Sequence, residues 1–202
     1  MRHPQNKLHP RRIARIYSFQ FLYHLQFREI KEIRDKLLDD NLRGKYILES
    51  IENFNETLSS LECELEVDKK ETNKDTNTIK IPLGKNMQYA LSIVTGVLSK
   101  YHELEKIIEA HSKNWSIAKI AKVDLTILLQ AVYELIYLKD TPKRVVIDEA
   151  IEMAKSFSDE QSWAFVNGIL DAIVRTLEKE KTQAQAQIQN QAQDQSDDQN
   201  NE

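Results

Sequence analysis

Residues 145–171 read VVIDEAIEMAKSFSDEQSWAFVNGILD, and this stretch contains two segments with the apolar periodicity of a helix, separated by polar residues. Apolar residues recur three and four positions apart on both sides of the break, which places them on one face of a helix. Ser158 is followed three residues later by Gln161, the spacing of a capping box. The stretch predicts a helix over 143–157 and a last helix after Ser158. Gly168 lies inside that last helix, where glycine is unfavourable, so we expect close helix packing there.

Outward from this stretch, the same apolar spacing predicts further helices. Thr141 and Pro142 mark a helix start, because proline at the first helical position loses no useful donor. Only four Gly and four Pro occur in 202 residues, which leaves few places for the turns of a β fold. We therefore predict an all-α protein with six main helices and one short one. The segments before Thr141 are 9–27, 29–54, 84–111, 116–121 and 123–138.

Two polar segments differ from the helical parts. Residues 55–82 are polar and acidic, and residues 181–202 are rich in Gln, Asn and Asp. Neither segment has enough apolar residues to offset the entropy of ordering. We predict one helical domain over 1–180, with 55–82 as a polar insertion, followed by a disordered tail over 181–202.

Charge is distributed unevenly along the chain. The formal net charge is -4, yet the first 28 residues contain six basic and no acidic side chains. Cys63 is the single cysteine, so no intrachain disulfide forms, and no secretory signal or membrane span is evident. These features predict an intracellular, cytoplasmic protein that does not bind membranes and has a positively charged N-terminal end.

The sequence shows no equipment for catalysis. No histidine has Glu three residues before it, as a dimetal helical bundle requires, and the common hydrolase and nucleotide-binding motifs are missing. Asp148, Glu149 and Glu152 cluster, but the simpler interpretation is the solvated face of a helix. We therefore predict a protein that is not an enzyme and has no cofactor and no metal; a metal-dependent helical enzyme is the least favoured alternative.

The basic first helix suggests a nucleic-acid partner. Arg11 and Arg15 lie one turn apart and can contact phosphates, while Tyr17, Phe19 and Tyr23 offer flat faces for base stacking. This combination suits single-stranded RNA. The alternative, that the aromatics belong to the core and the arginines to a solvated face, is about equally supported by charge and spacing alone.

Three blocks together resemble the NusB family: RRIARIYSFQFLY at 11–23, VDLTILLQAVYEL at 123–135 and the stretch at 145–171. The resemblance covers about residues 9–178 and is weakest over 28–84. It implies two packed three-helix bundles and a transcription antitermination factor. Such factors bind the boxA element of nascent ribosomal RNA transcripts, as single-stranded RNA, together with the ribosomal protein NusE. The pair then loads onto RNA polymerase in an antitermination complex.

The resemblance also implies roles for individual residues. It assigns RNA binding to Arg11, Arg12, Arg15, Gln20, Phe165 and Asn167, with the arginines on phosphates and Phe165 on a base. Tyr23 and Asp124 match positions at the NusE-contacting surface. Two positions depart from the family pattern: Gln130 stands where arginine is usual, and Asp148 replaces an Asn. A protein-only helical adaptor or homodimer in ribosome biogenesis, with the basic helix buried, is the main alternative.

Overall fold

The computed structural model describes residues 9–26, 49, 52–54, 85–112 and 115–198, and these are helical, with connecting turns and no strand. Five α-helices and one short 3-10 helix are defined. They are α1 (Pro10–Gln26), α2 (Lys85–His111), the 3-10 helix (Ile117–Lys119), α3 (Lys122–Tyr137), α4 (Lys143–Phe157) and α5 (Ser162–Asp198). The all-α class is confirmed. The predicted helix over 29–54 lies outside the described residues apart from 49 and 52–54, and the insertion over 55–82 lies outside them entirely.

Helix α3 occupies the centre of the fold and contacts each of the other four α-helices. Its residues from Asp124 to Val132 are all buried, in keeping with an apolar face that wraps almost the whole helix. On one side, α1 packs against α2, and Phe54 is buried with its ring edge-on to Tyr17 and Phe21. On the other side, α3, α4 and α5 contact one another as a three-helix group. This arrangement agrees with the division into two bundles.

Two glycines in helices have opposite surroundings. A Cβ built on Gly96 of α2 would overlap the ring of Tyr133 on α3, so this glycine lets the two helices approach closely. A Cβ on Gly168 of α5 would meet nothing within 4 Å. The expectation of close helix packing at Gly168 is therefore wrong, because the residue lies on an exposed face of its helix.

The predicted capping box at Ser158 is also wrong. Ser158 ends α4, and its hydroxyl donates to Asp124 Oδ1 at 2.6 Å, across to α3, instead of accepting from a backbone N–H of the next helix. The last helix begins only at Ser162. A hydrogen bond from a hydroxyl to a carboxylate is stronger than one between two neutral groups.

The C-terminal segment differs from the prediction of a disordered tail over 181–202, since α5 continues to Asp198. The physical reason is local, because alanine and glutamine are good helix formers and alternate through this segment. The side chains of residues 181–187 are all exposed, so this part of the helix has no tertiary packing. No helix within the described residues combines the length and the apolar character that a membrane crossing requires.

Candidate nucleic-acid interface

Arg15, predicted as a phosphate contact, is buried between α1 and α3. Its side chain is 3% exposed and its Nε and Nη2 donate to the Glu134 carboxylate at 2.8–3.1 Å. Nη2 also donates to the Tyr89 hydroxyl at 2.9 Å. Burial by itself lowers the pKa of Arg15, but the hydrogen bonds and charge of Glu134 outweigh it and raise the pKa overall. The guanidinium is thus enclosed by groups of the protein itself and joins α1 to α2 and α3.

Tyr89 of α2 completes this buried cluster. Its hydroxyl donates to Glu134 Oε2 at 2.6 Å, and burial together with that carboxylate raises the pKa of Tyr89 to about 12. Arg15, Tyr89 and Glu134 thus join α1, α2 and α3 through one charged, hydrogen-bonded group. A buried polar group of this kind is tolerated when its members satisfy one another, and it then favours one arrangement of the helices. The cluster fixes which side of α1 faces outward.

Arg11 and Arg12 lie at the outward edge of α1. Arg11 Nη1 donates to Thr141 Oγ1 at 3.1 Å, and its guanidinium lies 5.0 Å from the centre of the Tyr89 ring. The Arg12 side chain is 26% exposed, with Nε 3.9 Å from Glu149 and Nη2 3.8 Å from Glu152 of α4. Ion pairs of this length near the surface are weak. Both arginine side chains are thus partly exposed at this edge of the fold.

The aromatic residues of α1 divide between core and surface. Tyr17 and Phe19 are buried, so the core interpretation holds for them and not the stacking one. Tyr23 is half-buried and stacks on Phe19 at 5.8 Å between ring centres, and Phe19 in turn packs against Phe157 of α4 at 4.9 Å. Gln20, also half-buried, lies on the same helix.

Phe165 and Asn167 lie near the start of α5 and are both half-buried. The Phe165 ring meets the ring of Trp115 edge to face, with 6.1 Å between centres. The Asn167 amide lies 3.5 Å from the Asp171 carboxylate on the next turn. Gly168, one turn after Phe165, leaves open space beside it. A flat ring and an amide are therefore presented next to an uncovered helix backbone.

Asp124, predicted to face a protein partner, is 5% exposed and lies in the first turn of α3. Its carboxylate accepts the Ser158 hydroxyl and sits at the positive end of the helix dipole. This burial does not suit direct contact with basic residues of a partner. Gln130, where the family usually has arginine, is also buried, and its amide atoms have no hydrogen-bond partner within the described part of the chain.

The structure connects part of the predicted site across three helices. Arg12 of α1 approaches Glu152 of α4, which accepts a hydrogen bond from Lys155 at 2.8 Å. The Lys155 ammonium lies 5.9 Å from the centre of the Trp163 ring, at the start of α5. A charged and aromatic surface thus runs from α1 over α4 to Trp163 at the start of α5. Helical spacing alone did not identify Trp115, Lys155 or Trp163, because exposure of an aromatic ring is decided by tertiary packing.

The described helices pack around a buried charged cluster and present Arg11 and Arg12 at one edge. In the described residues, no group of three or more His, Cys, Asp or Glu is placed to hold a metal ion. These features define an all-helical protein with a basic first helix.

A family model described as the NusB family matches residues 12–175, well over half of the 202 residues. The chain belongs to the NusB family, as the sequence resemblance indicated.

Comparison with individual proteins agrees with this assignment. The chain is 54% identical over 94 residues to the transcription antitermination protein NusB of Geotalea daltonii. The matched region covers 46% of this chain and 65% of that relative. The chain spans just under two thirds of the length of the first curated relatives it matches. These relatives therefore support the family assignment.

Two solved structures share the fold. T. maritima NusB has a TM-score of 0.55 at 28% identity, covering 87% of this chain and 93% of that one. A crystal structure of the antitermination factors NusB and NusE in complex with dsRNA has a TM-score of 0.54 at 25% identity, covering 84% and 98%.

Proposed function

We propose that this protein is a non-catalytic transcription antitermination factor that binds boxA-type single-stranded RNA of nascent ribosomal RNA transcripts together with the ribosomal protein NusE. In this role it acts in the cytoplasm, as part of an RNA polymerase antitermination complex. The observation that carries the proposal is the pair of partly exposed arginines, Arg11 and Arg12, on a helix whose orientation is fixed by the buried cluster behind it. Family membership and a structural relative solved with NusE and dsRNA support RNA and NusE as partners, and the partly exposed aromatic rings carry the preference for a single strand.

In this proposal, Arg11 and Arg12 contact phosphates and Arg15 holds α1 in position. The ion pair between Arg12 and Glu152 is long and partly exposed, so a phosphate can replace Glu152 there, while Glu149, whose Oε2 is buried, stays beside Arg12. Phe165 and Asn167 contact bases, and Gln20 contacts the RNA from α1. The exposed aromatic rings favour unpaired bases, since a duplex hides the faces on which an aromatic ring stacks.

The protein partner is assigned to the surface around Tyr23, which stacks on Phe19 beside the exposed Phe157. Asp124 supports that surface from inside, through its bond to Ser158 at the end of α4. Its contribution is the shape of the junction between α3 and α4, and not a charge offered to NusE.

Fluorescence anisotropy tests the proposal with a boxA-like single strand and a scrambled strand, each with and without NusE. We expect selective binding that NusE strengthens. Arg11→Ala plus Arg12→Ala should weaken it and lower the salt dependence by about 0.7 log units per log unit of salt for each phosphate that the variant no longer neutralises. Arg144→Ala is the matched control, because this side chain is 92% exposed on α4, with a long ion pair to Asp148.

Equal binding of the scrambled strand, or an unchanged double variant, would contradict the proposal. The exposed Val145, Phe157 and Trp163 favour the second candidate, a protein-only adaptor or homodimer. That candidate predicts self-association or binding to a protein partner that hardly responds to salt, whereas RNA binding weakens steeply as salt rises. Analytical ultracentrifugation across the same salt range separates the two.

A further inference from the structure

Trp115 is the most exposed of the large apolar side chains in the described residues, at 50%. The ring also contacts the Phe165 ring of α5 in an edge-to-face arrangement. The Trp115 indole packs against Phe165 and keeps half of its surface exposed. It therefore provides a flat surface next to the ring that the proposal already assigns to base stacking.

The backbone around Trp115 is anchored. The Trp115 N–H donates to the Ser112 carbonyl at 2.9 Å, and the Ser112 hydroxyl donates to the Trp115 carbonyl at 2.7 Å. Ser112 itself is buried at the end of α2. Both the N–H and the C=O of Trp115 are thus hydrogen-bonded to Ser112. This ordered backbone lowers the entropy cost when a ligand stacks on the ring.

The segment that follows Trp115 is cationic. Lys119 and Lys122 come four and seven residues later, both are exposed, and residues 115–122 contain no acidic side chain. Positive charges along the chain after an open aromatic ring match the backbone and bases of a single strand. The same charges disfavour a basic protein such as a ribosomal protein, because like charges across an interface are repulsive.

Open space continues from the aromatic pair along α5. Gly168 lies one turn beyond Phe165, on the same face, and a Cβ there would meet no atom within 4 Å. A nucleotide that stacks on the pair could therefore pass close to the helix backbone without meeting a side chain.

We infer that Trp115 forms a second base-stacking position beside Phe165, so that the two rings take neighbouring unpaired bases of one RNA strand. Lys119 and Lys122 then lie where the phosphates of that strand continue past α5 towards α3. This inference rests on the proposed function and extends it, because it adds a binding element outside the basic first helix.

Tryptophan fluorescence tests the inference directly. The chain has two tryptophans, so Trp163→Phe leaves Trp115 as the only one. Titrating that variant with the boxA-like strand should quench its emission along the same curve as anisotropy. In the natural background, Trp115→Leu should weaken RNA binding about 5- to 100-fold, as removal of one stacking ring does, while Trp115→Phe keeps most of the affinity.

Tyr137→Leu is the matched control. Tyr137, like Trp115, is an aromatic residue, and the Lys100 ammonium lies 5.4 Å from its ring centre. It lies at the C-terminal end of α3, whereas Trp115 precedes the N-terminal end of that helix. We expect RNA affinity to stay unchanged in that variant. Phe165→Leu combined with Trp115→Leu should weaken binding by less than the product of the two separate fold-changes, because the two rings are in contact.

Three negative results have different meanings. If the natural protein binds the strand but Trp115 is not quenched, and Trp115→Leu binds as tightly as before, the stacking inference is overturned and the proposed function stands. If Trp115→Leu no longer binds NusE and keeps RNA binding, the ring belongs to the protein interface and the inference is equally overturned. If the natural protein binds no strand selectively, the proposed function itself fails. Circular dichroism melting of each variant verifies that the fold is retained.

Discussion

At the scale of single residues, the same residue type has different roles within five positions of α1. Arg15 is buried and paired with Glu134, while Arg12 lies at the surface with long ion pairs to two carboxylates. The energetic consequences differ as well. A buried charge without its partner is costly, whereas an exposed pair contributes about 0–1 kcal/mol.

The buried pair gives the first prediction. Glu134→Ala should lower the free energy of unfolding by about 3–5 kcal/mol, because Arg15 would remain buried without a counter-charge. Arg15→Met with Glu134→Leu should destabilise by less than the sum of the two single variants, since neither charge is then left alone. Urea denaturation measures all of these.

Glu178→Ala is the control for this comparison, because Glu178 makes only an exposed pair with Lys143 at 3.4 Å. We expect it to change stability by less than about 1 kcal/mol. Similar effects of Glu134→Ala and Glu178→Ala would mean that the buried cluster does not hold α1 in place.

The two helical glycines give a second prediction with opposite signs. Gly168→Ala should stabilise the protein by up to about 1 kcal/mol, because alanine favours a helix and its methyl group enters open space. Gly96→Ala should destabilise it, since the methyl group would overlap the Tyr133 ring and push α2 away from α3. Thermal melting distinguishes the two, and a stabilised Gly96→Ala would contradict the close approach of these helices.

At the scale of secondary-structure elements, the junction of α3, α4 and α5 depends on one hydroxyl group. The Ser158 hydroxyl joins the end of α4 to Asp124 in the first turn of α3, and lies 3.0 Å from the Ser162 hydroxyl at the start of α5. One side chain therefore connects three helix ends. It is also adjacent to the surface assigned to the protein partner.

Removing that hydroxyl is the third prediction. Ser158→Ala should cost about 1–3 kcal/mol, because the buried Asp124 carboxylate would be deprived of a donor. Ser156→Ala is a matched control two residues earlier, since its exposed hydroxyl bonds only to the Glu152 carbonyl of its own helix. Chemical denaturation should separate the two variants, and equal stability would show that the junction does not depend on Ser158.

Helix positions can be predicted from sequence much better than the environment of polar side chains. Apolar residues three and four apart define a buried face, so the predicted ends of α1 to α4 lie within one or two residues of the observed ones. The same spacing says nothing about which arginine of a basic helix meets a buried Glu 119 positions away. Nor does it show that Trp115 is exposed, because that depends on how Phe165 packs after the helices assemble.

At the scale of the whole molecule, the end of α5 adds helix without adding core. The described side chains beyond residue 180 are exposed, in contrast to Leu170 and Ile173, which are fully buried. A helix without an apolar face gains little from the rest of the protein. Its composition predicts disorder because no apolar face is available, whereas its alanine and glutamine residues favour helix locally.

Deletion of residues 181–202 is the corresponding prediction. The melting temperature and the RNA affinity should stay nearly unchanged, because no side chain described in this segment packs on the core. Differential scanning calorimetry and anisotropy measure the two quantities. A large drop in either would show that the segment has a structural or binding role that its exposure does not reveal.

The central position of α3 has a consequence for how the protein opens in solution. Since α3 touches each of the other described α-helices, a local fluctuation that detaches one neighbour still leaves it covered by the rest. Its amide hydrogens are expected to exchange with deuterium only when the whole assembly comes apart, whereas those of the outer helices exchange through smaller openings. Deuterium uptake within α3 therefore reports global stability, and uptake in the outer helices reports local openings.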